Sequence, residues 1–393
     1  MKRLLFIVSL LATLMVAHGC KESELNDTVQ CNLSNDSSSL HPRGPQFQAV
    51  LDNYTHRGLP GIALLVRDAN GRWMGASGMA DLDAGIAMQP CHVSKIASVT
   101  KLFIGVLVMQ LVEEGVLDLD APIARWVPAH YINDIANARE STLRMLLNHS
   151  SGIADVIDDQ QFYLQVLNNP AKHWTEEELL DFVCGDEPLF SPAGDSVDYS
   201  NTNLLLAALI IEKATGRQHQ DLLHKRILNP LALDHTFYQP HDPLPPSTAH
   251  GYFDLYHNNT LVDMSSFNTG SGNGYGGMYS NVLDMQVFIE TLLRQKTLLP
   301  AAALQEMQTV YIGDEAENEF YGVSLRKEFF GKNRQWIGYG HRGRDLAYSA
   351  DLYYFPDQDI TVALIVNYGT DAKSDLRELF FEFRENLVEA ILN

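Results

Sequence analysis

The chain lacks most of the patterns that mark a metal-binding, redox or nucleic-acid-binding protein. Its four cysteines form no C-x-x-C pair, which argues against a thiolate metal site or a thioredoxin-like motif. Its 14 histidines include no H-E-x-x-H, so we expect neither a catalytic metal nor a cofactor. Only 28 lysines and arginines oppose 49 acidic residues, and this net charge of −21 disfavours binding to nucleic acid or to an anionic membrane surface.

Two enzyme signatures are also missing or incomplete. No G-x-S-x-G occurs, so an α/β-hydrolase is disfavoured. Residues 272–277 match the dinucleotide pattern G-x-G-x-x-G, but the preceding residues 262–270 do not read as the strand that such a site requires. We therefore expect a turn near the rim of a cleft at this position.

The N-terminus has the pattern of an export signal. Lys2 and Arg3 precede an apolar run over residues 4–17, and Gly19-Cys20 follows. The placement of Cys20 resembles a bacterial lipoprotein signal, in which this cysteine is acylated; the alternative is an ordinary secretory signal. The run is too short for a transmembrane helix. We predict a signal peptide over 1–20 and export to the periplasm, as a lipid-anchored or secreted protein with no transmembrane domain in the mature chain.

Residues 21–45 are rich in Ser, Asn and Asp and poor in apolar residues, which predicts a flexible tether. If Cys20 is acylated, Cys31, Cys91 and Cys184 remain. One disulfide can form among them in an oxidising compartment, and buried free thiols are the alternative. The sequence does not determine the pairing.

Residues 46–393 have the pattern of a single α+β hydrolase domain. Helical periodicity occurs at 47–56, 98–114, 203–214 and 373–392, and strand patterns occur at 62–67, 73–79, 320–326, 335–339, 347–355 and 361–367. The intervening region is mostly helical. This order predicts an antiparallel sheet built from both chain ends (about 46–117 and 296–393) and flanked by helices, with a large helical insertion at about 118–295.

A hydroxyl and an amine are three residues apart in Ser98-Val-Thr-Lys101, at the start of an apolar helical stretch. On a helix these two positions share a face, so Lys101 can reach the serine oxygen. A serine needs such a partner because a free hydroxyl is a poor nucleophile at neutral pH. The same S-x-x-K pattern recurs at Ser324 and Lys327, so the motif alone does not identify a nucleophile.

Two further motifs supply candidate partners. Tyr199-Ser-Asn201 follows a Pro/Gly loop and precedes a predicted helix, although Y-x-N also occurs at residues 131, 256 and 279. His341-Arg342-Gly343 lies between two predicted late strands, where a glycine would let a substrate backbone approach a strand edge.

The ordered set Ser98-x-x-Lys101, Tyr199-x-Asn201 and His341-x-Gly343 resembles the serine β-lactamase / D-alanyl-D-alanine carboxypeptidase family, and is most similar to its class C-related branch. That branch includes DD-peptidases and carboxylesterases. Flanking blocks at 96–103, 146–152, 199–203 and 276–280 are also similar, so the resemblance covers roughly residues 45–393. It implies a β-lactamase/transpeptidase-like fold. It also favours Ser98 over Ser324, which would come too late and inside a predicted strand.

The resemblance implies a role for each motif residue. Ser98 would form an acyl-enzyme, with Lys101 as the base, unless Lys101 instead holds Tyr199 as an anion that acts as the base. Tyr199 would protonate the leaving group. Asn201 would bind Lys101 or the substrate amide. The backbone N–H groups of Ser98 and Arg344 would form the oxyanion hole.

The third motif is H-R-G where β-lactamases usually carry K-T-G, which disfavours an efficient β-lactamase. His341 and Gly343 are expected to bind substrate. Arg342 either binds a substrate carboxylate or points to solvent. We predict an exported serine hydrolase that resembles D-alanyl-D-alanine carboxypeptidases and acts on a small peptide, β-lactam or ester. The alternatives are a carboxylesterase, a weak β-lactamase, or a non-catalytic homologue that binds cell-wall peptides.

Overall fold

The computed structural model describes residues 27–33, 40–269, 272–316, 318–370 and 373–393. The predicted signal peptide, including Cys20, lies outside these residues. The described helices are α1 (Gly44–His56), α2 (Thr100–Glu113), α3 (Ala129–Asp134), α4 (Leu143–Leu147), α5 (Gln160–Asn168), α6 (Glu176–Leu180), α7 (Asn201–Thr215), α8 (His219–Leu223), α9 (Val282–Ile289), α10 (Ala301–Gln308) and α11 (Asp375–Leu392).

The described strands are β1 (Gly61–Asp68), β2 (Gly71–Asp81), β3 (Ile86–Ala87), β4 (Ser94–Lys95), β5 (Phe237–Tyr238), β6 (Tyr252–Phe253), β7 (Val262–Asp263), β8 (Met278–Ser280), β9 (Gly313–Asp314), β10 (Glu319–Tyr321), β11 (Arg326–Phe330), β12 (Trp336–Arg344), β13 (Ser349–Phe355) and β14 (Ile360–Val366).

A nine-stranded antiparallel sheet joins the two ends of the chain. Its strand order is β3-β2-β1-β14-β13-β12-β11-β10-β9. The first hairpin, β1 with β2, pairs with the last strand, β14, in a register that places Leu64 opposite Leu364. Most helices fall between β4 and β9, so the predicted α+β sheet with a large helical insertion is confirmed.

Each face of the sheet carries its own apolar core. On one face, α1 and α11 pack together and cover side chains such as Leu64 and Val66. On the other face, the alternate residues Ala63 and Leu65 join the core formed with α2, α7 and α9. Helix α2 is buried on almost every side, and this rigid burial fixes the residues at its N-terminus.

The structure corrects two sequence-based expectations about the late strands. Residues 320–326 do not form one strand, because β10 ends at Tyr321 and the chain turns before β11. The Gly322 N–H donates to the Leu325 carbonyl at 2.9 Å within this turn, and Ser324 adopts a left-handed φ of 51°. The His341-Arg-Gly343 motif does not lie between strands. It is part of β12, which continues to Arg344.

Residues 27–33 differ from the predicted flexible tether because they are attached to the domain. A disulfide joins Cys31 to Cys91. The Thr28 hydroxyl donates to the Thr248 carbonyl at 2.6 Å, and the Thr28 side chain is buried. Cys184 is a free, half-buried thiol. The pairing that the sequence left open is therefore Cys31 with Cys91.

Candidate active site

The candidate nucleophile Ser98 lies in a single 3-10 turn over Ala97–Val99, immediately before α2. Ala97 has a φ of 46°, a left-handed conformation that costs a non-glycine residue about 1–3 kcal/mol. The Thr100 hydroxyl holds the turn by donating to the Ala97 carbonyl at 2.7 Å. The fold thus stores backbone strain next to Ser98, which is common where a reactive side chain must be presented.

Lys101 is fully buried, and its amine lies close to oxygen atoms of Asn201, Tyr275 and Ser98. The Nζ atom lies 2.7 Å from Asn201 Oδ1 and 2.6 Å from the Tyr275 carbonyl oxygen. Both oxygens can only accept, so they take two N–H bonds of the amine. The Ser98 hydroxyl is at 3.0 Å. In its charged form the amine donates to all three oxygens. Once it has lost a proton, the two acceptors keep its N–H bonds and its lone pair faces the serine hydroxyl, which is the arrangement that a general base requires.

Asn201 is oriented by a buried carboxylate. It is the first residue of α7, and its Nδ2 donates to Asp155 Oδ2 at 2.9 Å while its Oδ1 accepts from Lys101. Ser98, Lys101, Asn201 and Asp155 therefore form one continuous chain of side-chain contacts. Burial raises the pKa of Asp155 to about 6, although hydrogen bonds from Asn201 and Ile157 oppose this shift.

Tyr199 precedes α7 and lies beside Lys101, whose Nζ is 5.0 Å from the phenol ring centre. Its hydroxyl is buried and makes no hydrogen bond of normal geometry to the described residues. Burial raises the pKa of the Tyr199 phenol well above its ordinary value, and the Ser98 hydroxyl and Arg342 oppose this shift only in part. The phenol is therefore neutral and available as a proton donor.

Two imidazole rings lie near the Tyr199 phenol. The His149 ring centre lies 4.3 Å from that of Tyr199, and the His341 ring centre lies 6.3 Å away. Burial and the positive charge of Lys101 hold the pKa of both histidines well below the usual range. His341 Nδ1 contacts the Arg342 carbonyl oxygen at 2.6 Å, so this nitrogen carries the proton of the neutral ring.

Gly343 allows β12 to approach the nucleophile closely. A Cβ added at this position would lie 2.0 Å from the Ile96 carbonyl oxygen and 3.2 Å from the Ala97 side chain. No side chain fits in that space. The glycine in the motif is therefore required by contact with Ile96 and the protein's own 3-10 turn, while the approach of a substrate backbone stays a prediction.

The backbone N–H of Arg344 faces away from the neighbouring strand β13. Asp345 N donates to the Tyr348 carbonyl at 3.0 Å, so these two residues form a hydrogen-bonded pair. Residue pairs in antiparallel strands alternate between hydrogen-bonded and non-hydrogen-bonded. The next pair, Arg344 with Ser349, is therefore non-hydrogen-bonded. Strand β11 pairs with β12 only as far as Gly340, which leaves this edge open. The Arg344 side chain itself turns away and binds Asp351 at 2.9 Å.

A buried ion pair attaches the end of β12 to the chain before Ser98. Lys95 Nζ lies 2.8 Å from Asp345 Oδ2, and Thr269 donates to the same carboxylate at 3.2 Å. Lys95 is three residues before Ser98, and Asp345 follows Arg344. This pair therefore links the two segments whose backbone N–H groups are predicted to form the oxyanion hole.

These groups surround a cavity of about 250 Å³. Arg342 lies on its wall with 36% of its side chain exposed, and its one ion-pair contact within the described part of the chain, to Glu319, is long at 3.5 Å. Glu319 already binds the buried Arg326 at 3.1 Å. Arg342 is thus a weakly paired cation at the surface of the cavity.

The structure brings together the eight residues predicted to be catalytic or to bind substrate: Ser98, Lys101, Tyr199, Asn201, His341, Arg342, Gly343 and Arg344. Sequence reasoning missed Asp155, His149, the Tyr275 carbonyl and the Lys95–Asp345 pair. His149 lies in, and Asp155 just after, the recognised block 146–152, a signal that could have identified them. Tyr275 lies in the turn that the sequence placed near the cleft rim.

The family and its fold follow from comparison with known proteins. The Beta-lactamase family profile matches residues 47–383, so this chain belongs to the beta-lactamase family. A D-stereospecific amidohydrolase from Streptomyces sp. superposes with a TM-score of 0.75 at 31% identity, over 84% of this chain and 94% of that one. A D-amino acid amidase from Ochrobactrum anthropi SV3 gives a TM-score of 0.75 at 27% identity, over 89% and 99%.

Curated relatives match over shorter regions. Penicillin-binding protein 4 of Amycolatopsis lactamdurans is 31% identical over 48% of this chain and 48% of its own length. Protein flp of Staphylococcus aureus strain MRSA252 is 27% identical over 60% of this chain and 45% of its own. The match spans about half of each relative. Among the described residues, none of the helices combines the length and the apolar character needed to cross a membrane.

Proposed function

We propose that this protein is an exported serine hydrolase that cleaves an amide bond next to a D-amino acid residue through a Ser98 acyl-enzyme. The observation that carries this proposal is the Lys101 amine, which two carbonyl oxygens hold with its third position facing the Ser98 hydroxyl. The similar amidohydrolase and amidase support an amide substrate of D configuration.

In this mechanism Ser98 Oγ bonds to the substrate carbonyl carbon while Lys101 takes the serine proton. The backbone N–H groups of Ser98 and Arg344 stabilise the oxyanion. The Tyr199 phenol then gives its proton to the leaving nitrogen as the C–N bond breaks, and it recovers a proton from Lys101. Water then attacks the acyl carbon, the ester bond to Ser98 Oγ breaks, and the carboxylic acid product leaves with the Ser98 hydroxyl regenerated. The raised pKa of Tyr199 favours this division of roles, with Lys101 as base and Tyr199 as acid.

The finer proposal is a D-alanyl-D-alanine carboxypeptidase. A carboxypeptidase must bind the terminal carboxylate of its substrate, and the weakly paired Arg342 is a suitable group on the cavity wall. The second candidate is a D-amino acid amidase, which the similarity to two such amide hydrolases favours. Only the carboxypeptidase requires a cation at this position.

Export is part of the proposal. The Lys2-Arg3 and apolar pattern before Cys20 indicates a lipoprotein signal, and the Cys31–Cys91 disulfide fits an oxidising compartment such as the periplasm. Mass spectrometry of the mature N-terminus tests the anchor: an acylated Cys20 supports it, and a free N-terminus elsewhere contradicts it.

A fluorophosphonate or a fluorescent penicillin is expected to label the intact protein at Ser98, because the activated hydroxyl attacks the electrophile. Peptide mapping locates the adduct, and Ser98→Ala is the control that should remove it. Labelling that survives Ser98→Ala rejects the serine mechanism. A protein that is never labelled, and that hydrolyses no peptide, amide, ester or β-lactam, is instead a non-catalytic homologue.

The Arg342→Gln variant separates the two candidate activities. For an N-acyl-D-Ala-D-Ala peptide with a free carboxylate, we expect KM to rise about 10- to 150-fold, since a charge-assisted hydrogen bond contributes about 1.5–3 kcal/mol. For the same peptide ending in a carboxamide, we expect less than about a threefold change.

The control is Arg334→Gln, which removes one positive charge from an exposed position. Equal losses on the carboxylate and the carboxamide peptide would rule out carboxylate binding by Arg342. Turnover of D-amino acid amides with no turnover of the carboxylate peptide would select the amidase instead.

A further inference from the structure

Asp155 is a buried carboxylate to which the mechanism above gives no role. Only 6% of its surface is exposed. It caps the 3-10 turn Val156–Asp158, with Oδ1 accepting from the Ile157 N–H at 3.2 Å. Its other oxygen, Oδ2, accepts from Asn201 Nδ2 at 2.9 Å. Capping the turn explains the contact with Ile157 but not the contact with Asn201, which requires a separate explanation.

The second contact determines which end of the Asn201 amide faces Lys101. An amide has a donor end and an acceptor end of nearly the same shape, and either can be presented after a half-turn. An ionised carboxylate only accepts, so Asp155 holds the NH₂ end of Asn201. The oxygen end is then fixed 2.7 Å from Lys101 Nζ. If the Asn201 amide were reversed, its NH₂ group would face the N–H groups of the Lys101 amine, and both groups are donors.

The charge of Asp155 also acts on the catalytic groups. Lys101, from α2, attracts the carboxylate, whereas Asp158, from the same turn, repels it. Burial is the main cause of the raised pKa of the Tyr199 and Tyr275 phenols, and the Asp155 carboxylate raises the pKa of both further. Asp155 therefore favours a neutral Tyr199, which is the form that donates a proton.

We propose that Asp155 is a positioning residue for catalysis, which fixes the Asn201 amide so that its oxygen faces Lys101. This inference rests on the proposed function, because it assigns Asp155 to the same serine mechanism. It gives Asp155 a role that it exerts through Asn201, without contact with the substrate.

The Asp155→Asn variant is the first test. Asparagine caps helical turns as well as aspartate does, so the turn is retained and we expect no loss of melting temperature. The new side chain has one oxygen that accepts and one NH₂ group that only donates. It therefore cannot accept from both Ile157 N and Asn201 Nδ2, and it no longer fixes the orientation of the Asn201 amide. We expect kcat to fall about 10- to 50-fold with KM changed less than about threefold.

Asp158→Asn is the matched control, because it removes one negative charge from the same turn at an exposed position. We expect its kcat to stay within about twofold of wild type. A double-mutant cycle adds Asn201→Ala: Asp155→Asn should cost less than about twofold further in that background, because Asp155 acts through Asn201. Fully additive losses would overturn the proposal.

A pH profile provides an independent readout. The ionised carboxylate is the active form, so wild-type kcat should fall as the pH is lowered through about 6, the pKa of Asp155. The Asp155→Asn variant should lose this acidic limb. If the kcat of Asp155→Asn equals that of Asp158→Asn while the probe still labels Ser98, the role of Asp155 is rejected and the proposed function is unaffected. If Ser98 is not labelled, the proposed function fails with it.

Discussion

Replacing Lys101 with methionine is expected to lower kcat/KM by about 10³- to 10⁴-fold. Methionine has nearly the length of lysine and fills the same buried space, but it has no lone pair to take the Ser98 proton. Wild type and variant are compared on the peptide substrate at saturating and limiting concentrations. Since Lys101 and Ser98 act as one unit, Lys101→Met combined with Ser98→Ala should lose no more activity than Ser98→Ala alone.

The chain offers its own control in the second S-x-x-K motif. Lys327 lies in β11 with its Nζ atom 5.2 Å from the Phe329 ring centre, and Ser324 lies in the preceding turn. Lys327→Met should leave activity within about twofold. Thermal unfolding should show a folded Lys101→Met protein, destabilised by about 1–3 kcal/mol because Asn201 Oδ1 and the Tyr275 carbonyl lose their donor. Near wild-type turnover by this variant would exclude Lys101 as the base.

The Gly343→Ala variant is expected to lower kcat by about 10²-fold or more. Its added methyl group would be 2.0 Å from the Ile96 carbonyl oxygen, so either β12 or the 3-10 turn that carries Ser98 must move. A displacement of about 1 Å at reacting groups can cost about 10²-fold in rate. The acylation rate, measured with the labelling probe, reports this displacement directly.

Gly338→Ala is the control on the same strand. There the new methyl group would meet aromatic side chains, the nearest being Phe330 at 2.8 Å, and it is remote from Ile96. We expect this variant to lose stability but to keep acylating Ser98. Normal acylation by a folded Gly343→Ala protein would show that the close approach of β12 is dispensable.

The order of strands and helices was readable from the sequence because local patterns encode it. The β1–β2 hairpin, α2, α7 and α11 fall close to their predicted bounds. The prediction failed at residues 320–326, where the alternating pattern continues through a turn. The hydrogen bond from Gly322 to Leu325 and the left-handed Ser324 form that turn, and hydrophobic periodicity does not report either one.

The duplicated motifs show what order along the chain can resolve. Ser98 was preferred over Ser324 because of the sequence of three motifs, and the structure gives the physical reason. Lys101 Nζ reaches Ser98 Oγ across one turn at the start of a helix. Ser324 and Lys327 lie on a turn and a strand, where a spacing of three residues does not bring side chains to one face.

The sequence alone was enough to recognise the S-x-x-K motif and the two motifs that follow it, because each is a set of residue types at fixed spacing and can be found without knowing the fold. The proposal that Lys101 is the base rests on tertiary structure. Two carbonyl oxygens from distant parts of the chain orient the Lys101 amine, and burial raises the pKa of Tyr199. Asp155 likewise reaches the site only through Asn201. The protonation of these side chains depends on burial and on contacts between segments that are remote in sequence, and the spacing of residues within a motif predicts neither.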